Sequence, residues 1–151
     1  MMSVLRSSNQ TSIHPAYGVR SDYVLLVARV CMASVFIFSG AAKLLGWQLA
    51  IAEVEQLGVP LPWIAAVATV VVQLIGGLAI ALGWHFRAAA ASLAAFTFVA
   101  TLVGHTFWVF DGAEFHRQLA TALEHIAIVG GFLLLMITGP GRLALQSERA
   151  R

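Results

Sequence analysis

The chain alternates between long apolar runs and short polar breaks, at intervals that fit a bilayer. The runs cover Tyr23 to about Gly46, Leu61 to Trp84, Arg87 to Phe110 and Gln118 to about Thr138. A membrane helix needs about 20 apolar residues to cross the hydrocarbon layer, and each run is long enough. The lengths exclude strands, and the strict alternation of a membrane barrel is absent. Gly139-Pro-Gly141 ends the last run, because proline cannot continue a helix and glycine frees the backbone. The pattern predicts an all-α integral membrane protein, with four helices in a bundle at about residues 23–46, 61–84, 87–110 and 118–138. Residues 22–145 form this membrane domain. Residues 1–21 are expected to be a disordered tail, and residues 146–151 a second short tail. Residues 48–58 mix Leu49, Ile51, Val54 and Leu57 with Glu53, Glu55 and Gln56, and read either as an amphipathic interfacial helix or as an extended loop. Pro62 suits the first turn of the helix that follows.

Composition points the same way. Of 151 residues, 60% are hydrophobic and only 11% are charged, less than half the charged share of a usual soluble domain, about 25%. A soluble chain of this size has no core large enough to hide that surface. The net charge of +2 and the lack of a basic-aromatic stretch give no sign of nucleic acid as a partner. Cys31 is the sole cysteine, which excludes an intramolecular disulfide or a Cys-x-x-Cys redox pair; within an apolar run it is expected to be buried and inert. The first run is longer than a signal-peptide core and Arg29 interrupts it, so it is expected to stay uncleaved.

Lys and Arg residues set an orientation. With four spans, Arg6, Arg20, Arg87, Arg142, Arg149 and Arg151 share one side, whereas Lys43 and Arg117 share the other. Both termini are therefore expected in the cytoplasm, with Trp47, Trp63 and Trp108 near the outer interface and Trp84 near the inner one.

The candidate chemistry lies in the few polar groups at membrane depth. Arg29 stands in an apolar run, where a cation is costly unless it pairs or snorkels to water. Gln73 falls near the middle of the second helix, and His105 near the outer end of the third. Glu124 and His125 fall about 10 Å in from the outer end of the fourth. Lipid offers these groups no hydrogen bonds, so they are expected to turn inward. Lys43, His105 and Glu124 would form one polar cluster or ligand pocket, with Gln73 linking it towards Arg29. A metal site is not expected: no His-x-x-x-His spacing occurs, and adjacent Glu124 and His125 point about 100° apart. Gly40, Gly76, Gly77, Gly130 and Gly131 are small enough to let helices approach closely. The second and fourth helices are expected to cross at their glycine pairs.

Taken in order, these features resemble the DoxX family of small bacterial membrane proteins. The residues that carry the likeness are Leu26-Val-Ala-Arg-Val30, Phe38-Ser-Gly-Ala-Ala-Lys-Leu44, Leu57-Gly-Val-Pro60, Gly76-Gly-Leu78, the basic turn at Arg87, His105, Gly130-Gly-Phe-Leu-Leu-Leu135 and Gly139-Pro-Gly141. The likeness runs from about Tyr23 to Leu145. It implies a four-helix, multi-pass protein of the bacterial cytoplasmic (inner) membrane. It also implies an accessory role beside a quinone-linked or redox-stress oxidoreductase, with a soluble or peripheral subunit as partner and quinone as the cofactor to consider. No catalytic residue follows from it. Where relatives often carry Glu before the second-helix glycine pair, this chain has Gln73; where they often carry Lys-Asn in the fourth helix, it has Glu124-His125. The expected consequence is that Glu124 compensates Arg29 and Lys43. Two other readings fit the same residues: a small proton-coupled transporter, which would need a homo-oligomer, and a purely structural membrane protein without ligand.

Overall fold

A computed structural model describes residues 15–146. It consists of α1 (Pro15–Leu45), α2 (Trp47–Gln56), α3 (Pro62–Leu82), α4 (Phe86–Gly104), a 3-10 turn (Phe107–Val109) and α5 (Gly112–Thr138). Four of these helices are long and apolar enough to cross a membrane. Of the tails expected at residues 1–21 and 146–151, residues 1–14 and 147–151 lie outside the described residues.

Three boundaries differ from the sequence reading. First, α1 begins at Pro15, inside the stretch expected to be a tail; proline at a first turn costs no hydrogen bond. Second, α4 stops at Gly104, and the rest of the expected third span is the 3-10 turn. Third, the polar stretch before residue 118 is the opening of α5. There Arg117 and Gln118 both bond Glu114 one turn back, at 2.6 and 2.8 Å, the spacing at which helix neighbours stabilise one another. The segment left open between helix and loop is the helix α2.

The helices are arranged in sequence around the bundle. α3 packs on α1, α4 on α3, and α5 on α4, while α2 lies across α3 and α1. The ring closes through side chains: Phe36 of α1 meets Phe132 of α5 with ring centroids 5.4 Å apart. Both rings belong to a core that includes Ala33, Ile80 and Leu93.

Small residues set the approach of α1 to α3. A Cβ on Gly77 would stand 2.9 Å from Ile37 and 3.3 Å from the Ala33 carbonyl oxygen, and one on Gly40 would stand 2.9 Å from Leu74. Gly76 faces Leu93 of α4 and Gly131 faces Met32 of α1, whereas Gly130 faces open space. The two glycine pairs therefore do not meet each other, contrary to the sequence expectation. A pair of adjacent glycines presents two faces about 100° apart, so each serves a different neighbour or none. Cys31, expected to be buried, is exposed on the outer face of α1.

Beyond Thr138 the chain turns back across the end of the bundle that carries the N-terminal half of α1. Gly139 and Gly141 take positive φ values of 77° and 76°, a region open to glycine. The Arg142 amide then donates to the Asp22 carboxylate at 2.9 Å, and the Leu145 amide to the Leu82 carbonyl at 2.9 Å. The His85 amide donates to the Gln146 side-chain oxygen at 2.9 Å. This segment joins α1 to the α3–α4 turn and covers that end of the bundle.

Candidate functional site

The polar groups form three separate clusters, one at one end of the bundle and two at the other, with Gln73 and Glu124 outside all of them. At the end carrying the termini, Arg29 is 1% exposed. It does not snorkel. One terminal nitrogen donates to the Leu143 carbonyl of the returning segment. Its Nε and other terminal nitrogen are buried without a protein hydrogen-bond acceptor. The guanidinium occupies the space that a side chain at Gly83 would need.

At the other end, Lys43 joins neither His105 nor Glu124. Its ammonium bonds the Glu53 carboxylate of α2 at 2.5 Å. The expected compensation of Arg29 and Lys43 by Glu124 is therefore corrected: a backbone carbonyl serves the first and Glu53 the second. Glu124 lies on the exposed face of α5. The buried face of α5 carries Ala122, Phe132 and Leu135, with half-buried His125 in register, and Glu124 is about 100° away from His125. Gln73 is buried with its side-chain oxygen unpartnered, and no hydrogen bond joins it to Arg29 among the described residues.

The structure does bring His105 and His125 together. Their rings stand edge to face with centroids 4.9 Å apart, between the C-terminal end of α4 and α5. A run of hydrogen bonds leads away from each ring. Thr101 donates its only hydroxyl proton to the Thr97 carbonyl at 2.7 Å, so it must accept from His125 Nδ1, 2.9 Å away. Gln118 donates through its amide nitrogen to Glu114 at 2.8 Å, so its oxygen faces His105 Nδ1 at 2.8 Å as an acceptor. Both imidazoles thus carry their proton on Nδ1 when neutral. Each then keeps a basic Nε2, and neither Nε2 is hydrogen-bonded among the described residues. Glu114 is held in turn by Arg117, through bonds of 2.9 and 2.6 Å.

The result is a polar ladder from the end of the bundle down to Thr97, which is 3% exposed. It holds two proton-accepting nitrogens side by side within it. Such a pair can accept or donate a hydrogen bond at each Nε2. Among the described residues no three His, Cys, Asp or Glu side chains converge on a metal-sized site. Sequence reasoning found both histidines but missed the Gln118, Thr101 and Glu114 partners. The signal was present: Glu114, Gln118, His125 and Phe132 recur at steps of four and seven residues, the period of one helix face.

The sequence relationships agree with the architecture. Residues 24–106 match the DoxX family. The inner membrane protein YphA of Escherichia coli is 31% identical over 130 residues, covering 86% of this chain and 93% of its own. The inner membrane protein YqjF of Escherichia coli is 35% identical over 128 residues, covering 83% and 91%. No solved structure matches the fold significantly. With four membrane-spanning helices and inner-membrane relatives over nearly its whole length, this multi-pass inner-membrane chain belongs to the DoxX family.

Proposed function

We propose that the chain is the membrane subunit of a redox complex, and that a quinone headgroup exchanges protons at the His105–His125 pair. The observation that carries this reading is the two Nδ1 hydrogen bonds, at 2.9 and 2.8 Å, that orient both rings and leave both Nε2 atoms free. The residues fit such a headgroup. Its two carbonyl oxygens accept hydrogen bonds, and a protonated Nε2 donates one. Exposed Leu102 of α4 and Ile126 of α5, next in sequence to Thr101 and His125, offer apolar surface for a prenyl tail. When bound, quinone supplies the two-electron redox chemistry. The chain's own work is to orient the rings and to hold a proton at Nε2 beside the headgroup. The partner is then a soluble or peripheral oxidoreductase subunit that delivers electrons. The transporter reading has less support, because Arg29 and Glu124 lie near opposite ends and Glu124 faces outward, so they line no common passage.

Quinone is expected to co-purify with the protein from native membranes at near-stoichiometric ratio, measured by solvent extraction and chromatography. Replacing His125 by Leu should lower quinone-reducing turnover of the co-purified complex by about 100-fold, the usual scale of a positioned acid–base group. A protein that emerges without quinone and without an oxidoreductase partner would overturn the proposal.

We also place both termini in the cytoplasm, on the strength of the Lys and Arg count. A reporter active only in the periplasm, fused after Arg151, should be silent, and the same reporter inserted at Gly58 should be active. The opposite pair of results would reverse the orientation.

A further inference from the structure

The α1–α2 corner holds a feature that the redox reading does not use. Where α2 leaves α1 at Gly46, the two helices diverge and leave a cleft of about 370 Å³ lined by Phe38, Ser39, Ala42, Lys43, Leu49 and Glu53, among others. This volume falls within the usual range of small-ligand sites, about 300–1,000 Å³. The Lys43–Glu53 ion pair forms its polar part. Phe38 and Leu49, 79% and 78% exposed, stand beside it as its apolar lips. Trp47 and Trp63 bracket the same level, where aromatic residues mark the boundary between lipid and water. An amphiphile suits this arrangement: its head would reach the ion pair while its tail runs down Phe38.

The charges select the head. Lys43 and Glu53 cancel, so the cleft is neutral but strongly dipolar. An anionic head would pair Lys43 and strand Glu53, and an unpaired charge next to lipid is costly. A zwitterionic head satisfies both, phosphate on the Lys43 ammonium and cation on the Glu53 carboxylate. The cation should be a primary ammonium, which donates charge-assisted hydrogen bonds to a carboxylate, rather than a quaternary one, which has no N–H. The existing pair is no obstacle, because such a head replaces one Lys43–Glu53 contact by two charge-assisted ones and leaves neither charge unpaired. We propose that the α1–α2 cleft binds a phosphoethanolamine lipid, with its phosphate on Lys43 and its ammonium on Glu53.

The test uses the full chain, purified in mild detergent, delipidated and titrated with lipids of identical acyl chains while native mass spectrometry counts the retained copies. Phosphatidylethanolamine should be retained about fivefold over phosphatidylcholine and phosphatidylglycerol, a modest free-energy difference. Soluble glycerophosphoethanolamine should not compete, because it lacks the tail. Glu53→Gln should bring phosphatidylethanolamine down to the phosphatidylcholine level. Ala42→Phe, which fills the cleft and keeps both charges, should lower retention of phosphatidylethanolamine, and it serves as the test if the Glu53 variant is not monodisperse. Equal retention of the three lipids, selectivity that survives both variants, or competition by the soluble head would overturn the assignment.

Discussion

Replacing Gly77 by Val is expected to destabilise the bundle by about 2–3 kcal/mol, the cost of overpacking a well-packed contact. A Cβ at this position meets not only the Ile37 side chain at 2.9 Å but also backbone, the Ala33 carbonyl oxygen and the Ile37 nitrogen, both at 3.3 Å. A side chain can change rotamer; the backbone of a packed helix cannot, so α1 and α3 must separate. In lipid that separation forfeits the close van der Waals contact that holds membrane helices together. Gly130→Ala is the internal control. A Cβ there meets nothing within 4 Å, so the change should be neutral or stabilising by up to about 1 kcal/mol through helix propensity. Thermal unfolding in detergent compares the two. If both variants melt with the wild type, glycine contacts do not hold α1 against α3.

That contrast marks what the sequence can and cannot reveal. The four spans are legible because lipid allows few backbone solutions: a helix must satisfy its own hydrogen bonds over about 20 apolar residues. The roles of adjacent glycines are not legible, because Gly130 and Gly131 differ only by a 100° turn, and nothing local says which of them meets Met32. The same ambiguity governs Glu124 and His125. Inward-turning polar groups are a sound expectation in lipid, yet only one of two neighbours can turn inward. The structure assigns that place to His125, whose partner Thr101 lies on α4 and whose ring neighbour His105 caps its end. Lys43 escaped prediction for another reason. Its acid is Glu53, on a segment whose helicity the sequence left open. The missed partner of Arg29 is a backbone carbonyl, and carbonyls carry no residue-specific signal at all.

The Arg29 carbonyl contact leads to a second large effect. Arg29→Ala is expected to cost about 3 kcal/mol or more, combining a lost charge-assisted hydrogen bond with a cavity in a buried site. The side chain is 1% exposed, donates to Leu143 and fills the space beside Gly83. Without it, residues 139–146 lose their link to the middle of α1 and keep the bonds at Leu135, Asp22, Leu82, Gly83 and His85. Amide hydrogen exchange across this segment should therefore quicken before the spanning helices respond. Arg29→Met separates charge from volume. Two of the guanidinium nitrogens already lack acceptors, and replacing a poorly paired buried charge by an apolar side chain of similar size is often neutral or better. The Met variant should then melt within about 1 kcal/mol of wild type, while exchange of the returning segment still rises because Leu143 has lost its donor. An alanine variant that melts normally would show that Arg29 carries no structural role. A methionine variant as unstable as alanine would show that the positive charge itself is required, and would direct the search to an anion at this end of the bundle.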